Sequence, residues 1–179
     1  MLMKSIPLVK FFFSILFVSI FSGCSSNIFN ARAKKPYRYE LKYGESVILR
    51  NGYAIAPRHA PPAVHRIVAA GNRIKGLPYK LGGGHKRVED NGYDCSGAVS
   101  YVLIKAGLLK SPMTSKGLRQ YGQRGKGEWV TLYARNGHTF IVVGGLRFDT
   151  GYNGEGRGPS WTVNDRPTRG HFIRHPNNL

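Results

Sequence analysis

The tetrapeptide Asp94-Cys95-Ser96-Gly97, followed by the almost wholly apolar run Ala98 to Ala106, puts a cysteine at the first turn of a buried helix. Unpaired N–H groups and the positive end of the helix dipole favour a thiolate there. The one other cysteine, Cys24, sits where a leader would end and is either removed or carries lipid, so no disulfide claims Cys95. A free thiol at a helix N-terminus in an exported chain suits nucleophilic chemistry; the plainer alternative is a buried, inert cysteine.

A thiol nucleophile needs a base to take its proton and a third group to orient that base. From Glu128 onward the pattern turns to strands: Trp129 to Tyr133, Thr139 to Val143 and Leu146 to Thr150, with turns at Arg135-Asn136-Gly137 and Gly144-Gly145. If Gly144-Gly145 is a two-residue turn, Val143 faces Leu146, Val142 faces Arg147, Ile141 faces Phe148 and Phe140 faces Asp149. Cross-strand partners share a face, and so do alternate residues along one strand. His138, Phe140 and Asp149 then lie on one side of the sheet with Asp149 diagonal to His138, the arrangement in which a carboxylate orients an imidazole. Asp149 has a second reading, as the ion-pair partner of Arg147 or Arg157. Other histidines compete with His138, but His59 and His65 lie outside the strand region and His171 and His175 sit near the C-terminus.

The elements upstream must hold the thiol against that sheet. Val64, Ile67, Val68, Gly71 and Ile74 recur at helical spacing, and Pro62 suits the first turn of such a helix. Gly76-Leu77-Pro78-Tyr79 ends it. Gly82-Gly83-Gly84 follows in a loop that lacks a P-loop's lysine and hydroxyl and precedes no dinucleotide fingerprint, so it reads as a tight turn lining a cleft. The Cys95 helix is apolar nearly all round through Val99, Val102, Leu103 and Ile104, the mark of a central helix, and Gly107 ends it. A loop or short helix follows Ser111-Pro112, Gly151 to Pro159 has the composition of a mobile loop, and Gly170 to His175 reads as a closing edge strand. Tyr39 to Arg50 holds one or two short strands. Helices first and a strand meander afterwards make an α+β layout.

In order and spacing, Tyr79 to Gly83, Asp94-Cys95-Ser96-Gly97 and Gly137-His138 resemble the NlpC/P60 cysteine peptidases of bacterial cell walls, over residues 63–175. Gly127-Glu128 stands where that family usually has Gly-Asp, and Thr139 where valine is common. The resemblance implies a papain-like fold with the nucleophile-bearing central helix packed on an antiparallel sheet. It also implies Cys95 as nucleophile, His138 as base, a polar third residue that the hairpin alignment lands on Asp149, and Tyr79, Asp94 and Ser96 as substrate-binding residues. Asp94 keeps two readings, a structural helix N-cap and a group that holds the substrate's amine. The implied reaction cuts an amide bond in peptidoglycan stem peptides, either D-Glu to diamino acid or D-Ala to diamino acid. Two other readings stand beside it: a non-catalytic envelope lipoprotein that binds peptidoglycan, and a related acyltransferase or amidase with another substrate. No cluster has metal-ligand spacing, and the chemistry calls for no cofactor.

Lys4 and Lys10 bracket a charged region, and the apolar run Phe11 to Phe21 is too short for the roughly 20 residues of a membrane span. Residues 1–23 therefore read as a signal peptide. Ser22-Gly23-Cys24 resembles a bacterial lipobox, with Cys24 acylated and Ser25 compatible with sorting to an outer membrane; a plain signal peptide or an uncleaved anchor is the alternative. Residues 24–61 read as a tether and N-terminal extension, and 62–179 as the catalytic domain. The formal charge of +18 is unusual. Export removes nucleic acid as a partner, which leaves the anionic peptidoglycan and the membrane that the lipid would enter, with the chain acting as a monomer.

Overall fold

The structure is a computed structural model that describes residues 46–151 and 158–179. The central helix, α2 (Cys95–Lys105), buries every residue from Cys95 to Leu103, as its all-round apolarity predicts. Gly107 ends it at φ 77°, with its own N–H on the Ile104 carbonyl and the Leu108 N–H on Leu103, a Schellman closure. α1 (Pro62–Ile74) starts with proline in its first turn and buries Val64, Ile67, Val68, Gly71 and Ile74, the stripe read from the sequence. It packs on α2. Gly71 lets Trp161 approach so closely that a Cβ there would come within 2.4 Å of the indole.

β1 (Ile48–Arg50) and β2 (Tyr53–Ile55) form a separate hairpin. Asn72 of α1 behaves toward it like a neighbouring strand, its amide oxygen accepting from the Ala54 N–H at 2.9 Å and its amide nitrogen donating to the Ala54 carbonyl at 2.8 Å. Val47 is fully buried and donates its N–H to the Gly144 carbonyl, so residues ahead of Pro62 share the main core. The remainder of the Tyr39 to Arg50 strand reading, the leader and Cys24 lie outside the described residues.

After α3 (Ser115–Leu118) the chain enters a six-stranded antiparallel sheet. Its strands are β3 (Gln123–Arg124), β4 (Val130–Arg135), β5 (His138–Val143), β6 (Leu146–Asp149), β7 (Ser160–Thr162) and β8 (Phe172–His175), in spatial order β3-β8-β4-β5-β6-β7. The architecture is α+β, with α2 packed on β5 and β6 of an antiparallel sheet. Gly144 and Gly145 both take positive φ, and the register runs Val143 to Leu146, Val142 to Arg147 and Ile141 to Phe148, the two-residue hairpin expected. Asn136-Gly137 makes the matching turn between β4 and β5.

One reading changes, and one strand is added. The C-terminal strand β8 is interior and not an edge, because the two-residue β3 pairs along its outer side. The stretch read as one loop from Gly151 to Pro159 lies largely outside the described residues; past it the chain forms β7 against β6, with the Trp161 ring tilted at 46° to that of Phe148. Neither β3 nor β7 has enough residues to show alternation.

Side chains on the helix side of the sheet, among them Leu132, Ile141, Val143, Leu146 and Phe148, join α1 and α2 in one core, each such burial contributing about 1.5–3 kcal/mol. Tyr133, Phe140 and Val142 form a smaller cluster on the opposite face with Ile173. His138, Arg147 and Asp149 share the parity of that second face.

Candidate active site

Asp94 caps α2 from an extended backbone, its Oδ1 accepting from the Gly97 N–H at 2.7 Å. The same oxygen receives the Ser96 hydroxyl at 3.0 Å and lies 3.2 Å from His85 Nε2, while Oδ2 accepts from the Gly82 N–H at 3.0 Å. With that many donors on one carboxylate, the capping role of Asp94 is filled. The glycine run serves the same joint. A Cβ on Gly97 would sit 1.9 Å from the Gly83 carbonyl oxygen, and one on Gly84 would sit 2.6 Å from the Tyr93 ring, so loop and helix start meet backbone to backbone. The loop is a packing device beside the cysteine, in line with the tight turn read from the sequence.

The Cys95 sulfur occupies the first helical position with only 7% of the residue exposed. Burial pushes its thiol up, the Thr139 and Ser96 N–H groups pull the other way, and the carboxylates of Asp94 and Asp149 add to the rise. The balance runs against the thiolate that the helix terminus alone would favour, because desolvating a charged sulfur outweighs the aimed N–H groups. The thiol therefore holds its proton more firmly than a free cysteine does.

Thr139 is the residue after His138, and it lies beyond the last β5–β6 pair at Ile141 and Phe148. Its N–H is turned on the Cys95 sulfur. Cys95 thus comes from the helix side of the sheet and the His138 side chain from the other, and the Thr139 N–H links the two beyond the last β5–β6 pair. His138 is the first residue of β5, and its Nε2 lies 2.9 Å from Asp149 Oδ1, the diagonal contact expected from the hairpin. A carboxylate only accepts, so Nε2 carries the proton and Nδ1 is the basic nitrogen. Tyr79 is 37% exposed, and burial, then the Cys95 sulfur once it is ionised and the Asp94 carboxylate, push its hydroxyl up, keeping it a donor.

The competing reading of Asp149 holds as well. Arg147, fully buried, places Nε 3.4 Å from Asp149 Oδ2, and Arg166 donates to the same oxygen from Nη1 at 2.8 Å. Asp149 therefore orients His138 and pairs with arginine at once. Sequence reasoning missed Arg166, His85 and His171. Arg166 is far along the chain with no periodicity to tie it to β6, and His85 lies in a loop where no spacing reveals its contact with Ser96 Oγ at 3.0 Å. His171 packs edge-on against Phe140, and its Nδ1 donates to the Thr168 carbonyl. Burial pushes its imidazole down, and the nearby charge of Arg135 adds to the fall.

No protein-family model matches the chain, and no curated protein matches it. Among solved structures the chain is similar to a lipoprotein of the NLP/P60 family from Staphylococcus aureus, at 18% identity and a TM-score of 0.46, covering 66% of this chain and 43% of that one. The chain thus spans less than half the length of that structure. What the site can do is set by the side chains described above.

Proposed function

We propose that this chain is a cysteine endopeptidase of the NlpC/P60 type that hydrolyses an amide bond in peptidoglycan stem peptides. The observation that carries the reading is the Cys95 sulfur held by the N–H of Thr139, whose chain neighbour His138 has its Nε2 2.9 Å from Asp149 Oδ1. His138 Nδ1 takes the thiol proton, and the sulfur attacks the carbonyl carbon. The N–H groups around Cys95 and the Tyr79 hydroxyl supply donors for the oxyanion. Collapse of the tetrahedral adduct breaks the C–N bond, and the proton on His138 goes to the leaving amine. Water, deprotonated by His138, then cleaves the thioester and releases the acid.

The Tyr79 to Gly83 and Asp94 to Gly97 motifs support a stem-peptide substrate, and a charge of +18 supports retention on an anionic wall. A lipid on Cys24 would tether the enzyme to the envelope, at the outer membrane and facing the periplasm. Purified protein incubated with sacculi and with defined muropeptides should release products that mass spectrometry assigns to one cleaved amide. Cys95→Ala should abolish them with an unchanged circular dichroism spectrum. Full activity in that variant would reject the nucleophile.

A further inference from the structure

Asp149 is the hub of the base side, and its two oxygens have different neighbours. Oδ1 receives the Thr150 N–H at 2.7 Å and the His138 ring at 2.9 Å. Oδ2 faces the guanidiniums of Arg166 at 2.8 Å and Arg147 at 3.4 Å. A carboxylate is planar, so fixing Oδ2 fixes the roll of the plane and with it the direction of the Oδ1 lone pairs toward His138 Nε2. Of the two cations, Arg166 makes the shorter contact, and its side chain remains 17% exposed.

Arg166 reaches this place from a braced segment. Its own N–H donates to Asp165 Oδ1 at 2.7 Å, Pro167 follows with a fixed φ, and both the N–H and Nδ1 of His171 return to the Thr168 carbonyl. The guanidinium is thus delivered to the carboxylate from the segment between β7 and β8.

We propose that Arg166 is a positioning residue that sets the plane of Asp149 and, through it, the tautomer and orientation of the His138 ring. The role rests on the proposed thiol mechanism, but its spectroscopic test does not. In wild-type protein labelled with ¹⁵N-histidine, the His138 Nε2–H should give a slowly exchanging, downfield proton resonance, reporting the bond to Asp149. Arg166→Gln should speed its exchange or remove it, and should lower kcat on muropeptides about tenfold or more with KM changed less than twofold. Arg166→Lys, which keeps one donor for Oδ2, should restore the resonance and bring kcat to within about threefold of wild type. An unchanged resonance and kcat in Arg166→Gln would overturn the role. So would a folded Arg166→Lys that lacks the resonance, which also decides the matter if the glutamine variant does not fold. If wild-type protein shows the resonance and the variants alter it as described but no muropeptide is cut, the positioning stands and the peptidase reading falls.

Discussion

Two carboxylates flank Cys95, and they are held in opposite ways. Asp94 is met by two backbone N–H groups, a hydroxyl and the His85 ring, all from residues 82 to 97. Asp149 is met by the neighbouring Thr150 N–H, an imidazole and two guanidiniums, one of them from residue 166. The first is a local cap whose donors are mostly neutral dipoles; the second is a charge cluster drawn from separate parts of the chain. A neutral isostere should therefore be tolerated at one and not at the other, since an amide oxygen can still accept from an N–H but removes the negative charge that the buried Arg147 guanidinium faces.

The largest effect falls on Asp149→Asn. Turnover should drop about a thousandfold, because the amide no longer steadies a protonated His138. Stability should fall by about 3 kcal/mol because Arg147 stays buried with its carboxylate gone. Steady-state kinetics and denaturant unfolding read the two separately, and a variant as stable as wild type would remove the charge-cluster half of the contrast. Asp94→Ala should cost about 1–2 kcal/mol, the ordinary price of an N-cap, while Asp94→Asn should keep most of that stability. Equal losses in the two Asp94 variants would mean that the charge, and not the cap, is what the helix start uses.

A smaller effect is alkaline. Burial pushes Tyr101 and Tyr121 up to about 12 and raises Cys95 as well. Such groups bind protons more tightly folded than unfolded, so the stability they contribute is complete below the pH where the unfolded chain ionises. It is lost as pH rises through the folded values. Thermal midpoints should therefore decline from about pH 9 toward pH 12, and a flat profile would contradict the raised hydroxyls. The smallest change is expected from Asp165→Asn, since the amide oxygen can still take the Arg166 N–H; kcat should stay within about twofold of wild type.

The parts of this molecule that were legible in the sequence are those in which near neighbours decide the geometry. The α1 stripe, the start and end of α2, and the Gly144-Gly145 turn each rest on a few consecutive residues. The turn alone sufficed to place Asp149 beside His138, because a two-residue hairpin fixes register and register fixes faces. What stayed hidden was contributed across distance. The pairing of β3 outside β8 depends on a strand of two residues, and the arrival of Arg166 at β6 depends on a return path that no local pattern encodes. Burial of the thiol was hidden for the same reason, since the terminus of α2 is visible in the sequence but the packing that covers it is not.

The two-residue turns on either side of β5 have a kinetic consequence. β4, β5 and β6 are joined with almost no loop to close, so this meander carries the least closure entropy in the sheet and can pair early, on the microsecond scale of hairpins. His138 and Asp149 would be set against each other at that stage. Cys95, 43 residues before His138 in the chain, joins only when α2 docks on the meander, and Arg166 only when the chain has passed beyond β7. A chain that has not completed its fold thus holds His138 and Cys95 on separate pieces, and the Cys95 sulfur meets the Thr139 N–H only once α2 has docked.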